Sequence, residues 1–407
     1  MAKQESIVAL DVGTTKICAL VGQITDSGLE IIGVGSRPST GLRKGAVINI
    51  DSTVEGITKA IEEAELMAGI NISSVYVGVA GTHVKSFNSA GVVGVKGKEI
   101  DKSDVERVID AAKAVAIPAD RQTIHVIPQD FIIDDQDGIK EPIGMNGVRL
   151  EGKMHIVTAS IPSTQNLIKC ANRAGLNVNE LILEPLASAQ AVLSEDEKDL
   201  GVALVDIGGG TADICIFVGG ALVHTGVIPV GGNHMTNDIA VGLRTPQSEA
   251  EKLKVRFGTC LSEAVVPEET IEVPGVGGRK SRIVARRMLA EIIQPRTEEI
   301  CHLIREEIWK TGFADLLGSG VVITGGTSLL EGLPEMAELI FEMPVKRGYP
   351  SGIGGLREIV NSPKYATGVG ILRHVEESIK RQKLAAAEAR GYTKMRHAMT
   401  NWIKDFF

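Results

Sequence analysis

The feature that most constrains this chain is a short pattern that occurs twice: a β-rich run ending on an aspartate, with a glycine turn beginning two residues later. Ser6–Leu10 delivers Asp11-Val-Gly-Thr-Thr-Lys and Ile17–Ile24 stays apolar beyond it, while Gly201–Val205 delivers Asp206-Ile-Gly-Gly-Gly-Thr-Ala-Asp with Ile214–Val218 beyond. Apolar runs of this length broken by glycine read as strands joined in a hairpin. Lying roughly 195 residues apart, the two units imply homologous α/β halves, each presenting a turn at the end of a sheet. The 407 residues are enough for two lobes, since single cores stop growing beyond about 250–300 residues.

A strand that ends on Asp-x-Gly has a specific chemical use. Its backbone N–H groups can point at phosphate oxygens while the carboxylate reaches a hydrated Mg²⁺. In the first turn Asp11 would orient the waters of the ion, Gly13 permits close backbone approach, and Thr14, Thr15 and Lys16 supply hydroxyls and a cation. In the second, Asp206 takes the ion role and the amides of Gly208, Gly209, Gly210 and Thr211 bind phosphate. A third turn, Thr324-Gly325-Gly326-Thr327 after the strand Val321–Ile323, would leave a purine and ribose room against bare backbone. Each motif singly is also an ordinary hairpin turn; the set of three, each at a strand end, argues for a nucleotide between two halves.

Elsewhere the spacing predicts helices at Ile57–Ala68, Leu167–Ala174, Pro185–Val192, Glu251–Phe257, about 286–311, Pro334–Phe341 and from Tyr365. Between about 82 and 161 the texture changes to a small α+β module. It holds strand-like Val92–Val95, strands at Ile124–Ile133 and Met154–Ala159, and a helix from about Ser103 to Ala116 opened by the capping-box pattern Ser103-x-x-Glu106. From about Val375 to Arg390 the chain becomes charged and alanine-rich, which reads as a tether or solvated helix rather than core.

Composition excludes several classes. A net charge of -8 gives no body-wide basic field for nucleic acid. Five scattered cysteines without a C-x-x-C pair indicate neither a disulfide framework nor a zinc site, and fit a reducing cytosol. The N-terminus shows no signal-peptide pattern, and no run approaches a transmembrane span.

In their order, Asp11-Val-Gly-Thr-Thr-Lys resembles the phosphate-1 motif, Asp206 to Asp213 phosphate-2, and Thr324-Gly-Gly-Thr-Ser the adenosine motif of the actin/Hsp70/sugar-kinase superfamily. The resemblance covers most of the chain. It implies a two-lobed, actin-like ATPase fold of duplicated RNase H-like domains, with ATP as ligand and Mg²⁺ held through water by Asp11 and Asp206. Glu184-Pro-Leu-Ala-Ser-Ala resembles the first connecting helix, whose Glu in prokaryotic actins positions the attacking water, and Glu251-x-x-Lys254 resembles the pair contacting ribose and adenine. Read from the residues alone, Glu184 is equally a helix N-terminal acid and Glu251 with Lys254 a surface pair. Asp213 reads as support for the phosphate turn, with a kinase-type substrate base as its alternative by proximity alone.

Within the superfamily the inserted module and the C-terminus are similar to the FtsA family of actin-like bacterial cell-division proteins. The expected domains are a first lobe at 1–81 and 162–198, closed by about 365–374, with an FtsA-type (SHS2) insert at 82–161. A second-lobe base at 199–232 and 303–364 and an upper subdomain at 233–302 follow, then a linker at 375–390 and an amphipathic helix at 391–407. In that tail Tyr392, Met395, Met399, Trp402 and Phe406 share one helical face, with Ile403 beside it and Phe407 at the end. At about 1.5 Å per residue the tail reaches about 25 Å, short of a roughly 30 Å hydrocarbon core, so a membrane helix here would lie in the interface. Lys380, Arg381, Lys383 and Arg390 would add attraction to anionic lipids. The pattern alone also allows docking on the chain's own core.

The resemblance implies a peripheral protein at the cytoplasmic face of the membrane at the division site. It would assemble with itself into filaments, tether FtsZ, help recruit later division proteins and hydrolyse ATP weakly at most. Arg286, Arg287 and Arg296 are candidates to meet an acidic partner peptide, or simply a solvated helix face. The rivals are a PilM-like pilus-assembly protein, which shares the insert, and a sugar-kinase-type phosphotransferase, for which no cleft base is evident. An Hsp70-type chaperone is disfavoured because no β-rich substrate domain follows.

Overall fold

Glu5–Val12 and Lys16–Thr25 pair antiparallel with Asp11 opposite Cys18, and Val202–Ile207 and Ala212–Val218 do the same with Asp206 opposite Asp213. Both turns close with one main-chain bond of the same kind: the Gly13 amide donates to the Lys16 carbonyl at 2.9 Å, and the Gly208 amide to the Thr211 carbonyl at 2.9 Å. The surrounding sheets repeat the same order. The first runs Asn177–Leu183, Ser74–Val79, Glu5–Val12, Lys16–Thr25, Gly28–Pro38, and the second runs Val345–Arg347, Val321–Thr324, Val202–Ile207, Ala212–Val218, Ala221–Ile228. In each, three antiparallel strands are followed by two parallel ones. The short Gly354–Gly355 strand is added at the outer edge of the first. Continuous apolar runs such as Ile7–Leu10 and Val202–Val205 are buried throughout, as strands covered on both faces must be.

The structure is a computed structural model that describes residues 5–383. The expected tail helix at 391–407, with Tyr392, Met395, Met399, Trp402, Ile403, Phe406 and Phe407, lies outside the described residues. One apolar cluster draws on both sheets and on two helices between them, with Leu20, Ala187, Leu204, Val322 and Leu372 among its members. Those helices are Glu184–Val192 and the helix described from 366 to 383. They cross so closely that a Cβ on Gly370 would lie 1.8 Å from the Ala187 carbonyl oxygen.

The inserted module is a four-stranded antiparallel sheet in the order Val84–Gly94, Arg149–Ser160, Arg121–Ile133, Gln136–Ile139. Helix Lys102–Lys113 lies on one face, over a core that includes Val108, Phe131, Leu150 and Met154. The capping box is not at Ser103. The Asp104 amide donates to Asp101 Oδ1 at 2.9 Å and the Asp101 amide returns a bond to Asp104 Oδ2 at 3.2 Å, while the Ser103 hydroxyl donates to Asp101 Oδ1. Asp104 is itself buried and paired to Arg107, which fixes the earlier register.

Two expected boundaries differ. The linker drawn from 375 is helix as far as the described residues extend. Val375 is buried and Ile379 packs on the two-sheet core, because Leu372, Val375 and Ile379 hold a helical stripe that the flanking charges mask. The subdomain boundary at 303 falls inside the continuous helix Arg286–Lys310. Of the three arginines considered for a partner, Arg286 bridges Glu269 and Glu331, each at 2.7 Å, Arg296 holds Asp238 at 2.6 Å, and Arg287 pairs with Glu291 at 3.2 Å.

The helix crossing gives a direct test. Replacing Gly370 with Ala forces a methyl against a main-chain oxygen that cannot move alone, so the variant should lose about 2 kcal/mol or more of stability in urea denaturation.

Candidate functional site

The repeated hairpins bring their turns face to face. A Cβ on Gly209 would lie 1.7 Å from Thr15 Oγ1, so the two lobes meet at a point where only hydrogen fits. The third turn joins the second: Gly325 has φ +85° and a Cβ there would be 2.3 Å from Asp206 Oδ1. The Thr327 hydroxyl donates to the Gly208 carbonyl at 2.9 Å. Between them lies a cleft of about 540 Å³, within the usual range for a small-molecule site. Every described residue named from the sequence for the nucleotide or its ion, Thr324 apart, lines it: Asp11, Gly13 to Lys16, Glu184, Asp206, Gly208 to Thr211, Glu251, Lys254 and Gly325 to Thr327.

Four acids dominate the cleft floor. Asp206 Oδ2 accepts from the Ser188 hydroxyl at 2.7 Å and the Thr367 hydroxyl at 3.2 Å, so both connecting helices hold one carboxylate. Asp213 Oδ2 accepts from Thr211 Oγ1 at 2.9 Å, which supports the turn, while its Oδ1 is buried without a partner. Burial raises all four carboxyls above the ordinary range. For Asp11 the Lys16 charge opposes this; for Asp206 the Ser188 bond does; Glu184 is pushed well up by burial and then by Asp11, Asp213 and Asp206. Asp213 is pushed up to about 7, by burial first and Asp206 second. Among the described residues no three His, Cys, Asp or Glu side chains gather closely enough to hold a metal directly. The charge of an ion beside this floor would relieve the burial of its carboxylates.

Lys16 lines the cleft, but its ammonium has local partners. It stands 3.5 Å from Asp11 Oδ2, donates to the Lys364 carbonyl and lies over the Tyr365 ring. Glu251 and Lys254 are more than a surface pair. They approach to 2.7 Å, and the Lys254 ammonium donates to the Gly232 carbonyl at 3.0 Å and Thr236 Oγ1 at 2.9 Å. Helix Gln247–Phe257 is thereby tied to the start of helix Gly232–Gly242.

Sequence reasoning missed that second helix and Asn233 near its start. The Asn233 amide donates to the Gly209 carbonyl at 2.8 Å and its side chain faces the same glycine. The signal available was the pair Gly231-Gly232 directly before a helical run. Ser188 and Thr367 carried no local signal, because their partner lies 18 and 161 residues away in sequence.

Two sheets of one topology, joined by crossing helices and meeting at two Asp-x-Gly hairpins, define an actin-like ATPase fold. Solved structures of that fold agree. The PilM–PilN type IV pilus biogenesis complex superposes with a TM-score of 0.64 at 16% identity, covering 90% of this chain and 98% of its own. MreB5 of Spiroplasma citri bound to AMPPNP gives 0.57 at 16%, covering 94% and 99%. The model for cell division protein FtsA matches residues 203–370, and that for the SHS2 domain inserted in FtsA matches residues 81–158. Cell division protein FtsA of Pseudomonas aeruginosa is 52% identical over 369 residues, covering 90% of this chain and 88% of its own. The chain belongs to the FtsA family of cell division proteins. Its likeness to PilM is one of fold.

The buried acids set a pH dependence. An acid whose carboxyl is raised on folding binds more protons folded than unfolded between its ordinary and its raised value. For Asp213 that interval runs from about 4 to about 7 and its contribution to stability falls across it, while the buried His125 and His155, lowered to about 4, contribute in the opposite sense over the lower part of the range. Asp213→Asn should remove up to roughly 4 kcal/mol of that fall, read from urea midpoints across the range. An unchanged slope would contradict the assignment.

Proposed function

We propose that this chain binds ATP with Mg²⁺ between its lobes, assembles into actin-like filaments, and tethers FtsZ filaments to the cytoplasmic membrane, helping to recruit later division proteins. The observation that carries the nucleotide reading is the contact of the Thr15 and Gly209 turns. Two sets of main-chain donors from different lobes face one small space whose floor is acidic. The turns Gly13–Lys16 and Gly208–Thr211 would cradle the β- and γ-phosphates, Asp11 and Asp206 would accept hydrogen bonds from the waters of the ion, and Gly325–Thr327 with Glu251 and Lys254 would hold the nucleoside. Bound Mg²⁺ supplies charge that neutralises phosphate and acids together. A ligand gripped from both lobes binds best when they are closed, which links nucleotide to the subunit shape that a filament needs.

Glu184 packs against bare backbone, with its Oε1 3.0 Å from where a Cβ on Gly78 would lie. From the cleft wall it would orient an attacking water. Burial and the neighbouring Asp11, Asp213 and Asp206 hold its carboxyl well above the ordinary range, and the charge of a nearby dication would lower it again. Family membership supports the division role. The amphipathic stripe from Tyr392 to Phe407 supports peripheral attachment, and no described helix is long and apolar enough to cross a membrane.

Gly209→Asp should abolish detectable ATP binding in a fluorescent-nucleotide titration, since it places both bulk and negative charge against Thr15. Normal affinity in that variant would remove the clamp. The adaptor reading is tested by flotation of anionic liposomes with FtsZ polymers and Mg²⁺-ATP. The full chain should carry FtsZ to the top of the gradient and a chain ending at Arg390 should leave it at the bottom. FtsZ that stays down with both, at low salt, would sink the tethering role.

A further inference from the structure

The inserted domain is attached to the first lobe, yet it is seated on the second. At its root a small apolar cluster, with Val79, Val84, Val157 and Leu183, joins it to the first lobe. One face of its sheet carries the helix Lys102–Lys113. The opposite face, bearing Ser86, Asn88 and His155, lies against Ala221–Ile228, the edge strand of the second lobe's sheet. Edge strands present unpaired main-chain groups that must be paired or covered. Among the described residues no main-chain hydrogen bond joins Val84–Gly94 to this edge.

Side chains cover it instead. The Ser86 hydroxyl donates to the Thr225 carbonyl at 3.0 Å, Asn88 Nδ2 to the Val223 carbonyl at 3.2 Å, and Gln129 Nε2 to the Leu222 carbonyl at 2.8 Å. His155 completes the set. Burial lowers its pKa to about 4, so at neutral pH the uncharged ring donates from Nδ1 to Asn88 Oδ1 at 2.7 Å and accepts the Thr225 hydroxyl at Nε2, 3.0 Å away. Asn88 is the hub, since its Oδ1 also accepts from Gln129 at 3.3 Å. Beyond Asn88 the two surfaces part around a cavity of about 650 Å³, reached by Ala90 and Lys153 on one side and Val223 and Phe313 on the other.

We propose that this contact is a latch: four insert side chains bridge the lobes, fix the orientation of the insert, and tie it to the closure of the cleft. Such a polar, partly open interface resembles those between domains that move relative to one another. The edge strand that it grips is hydrogen-bonded to Ala212–Val218, which begins immediately after the Gly208–Thr211 turn. On the other side, the root residue His83 lines the cleft, and its carbonyl accepts from Arg121 Nη2 at 3.0 Å and from the Ser160 amide at 3.1 Å. Separation of the lobes must therefore strain or break the bonds at Asn88. By reciprocity, whatever displaces the insert must loosen the cleft.

All five native cysteines are buried, so spin labels can be placed on the full chain at Glu106→Cys in the insert and Glu306→Cys in the second lobe, both exposed positions. Double electron–electron resonance should give one narrow distance distribution in the parent and a broader one with a longer mean after Asn88→Ala. The double variant Ser86→Ala/Gln129→Ala should behave in the same way and guards against misfolding of the first. Each domain has its own core, so far-ultraviolet circular dichroism should be unchanged. The coupling to the cleft rests on the ATP reading, and Asn88→Ala should weaken fluorescent-ATP binding by about fivefold. Distance distributions in both folded variants that superimpose on the parent's would overturn the latch. A parent that binds no ATP would overturn the nucleotide reading and leave the latch judged on distance alone.

Discussion

The contact between the Thr15 and Gly209 turns is the constraint on which the rest of the structure depends. Two hairpins can approach this closely only if one presents no side chain, and only if each is held rigidly at the head of its own sheet. The matching bonds within the turns, Gly13 to Lys16 and Gly208 to Thr211, give that rigidity locally. The crossing of the connecting helices at Gly370 and Ala187 gives it globally. Ser188 and Thr367 then link the crossing to the site, because both donate to one oxygen of Asp206.

The electrostatics follow from the same geometry. Bringing two Asp-x-Gly units together buries Asp11 and Asp206 in one space, with Glu184 and Asp213 beside them. Low dielectric raises each carboxyl, and like charge adds to it at Glu184, Asp206 and Asp213. Such a cluster is unfavourable by itself, and the cation and phosphate ligand proposed for it would make it favourable. The stability of the empty protein and its affinity for ligand are thus opposite faces of one arrangement. The insert adds a second bridge between the lobes, polar where the first is glycine-lined.

Motifs contiguous in sequence were legible. The Asp11, Asp206 and Thr324 turns each announce themselves by a strand, a carboxylate or hydroxyl, and glycine, and the structure gathers all three into one cleft. Features made by distant partners were not legible. Asn233, Ser188 and Thr367 act through contacts that local spacing cannot encode, and Lys16 is directed by Lys364 and Tyr365, nearly 350 residues away. The capping box was displaced by two residues because Ser103 and Asp101 are both competent caps, and the burial of Asp104 decides between them. The helix through Val375 was masked by charges on its solvent side.

Hydrogen exchange at single-amide resolution tests the shared grip most directly. In the full chain, addition of Mg²⁺-ATP should raise protection of the Thr14 and Thr15 amides in one lobe and of the Gly209 and Gly210 amides in the other, with the same dependence on ligand concentration. Protection confined to one turn, or absent from both, would contradict a nucleotide held jointly by the two lobes.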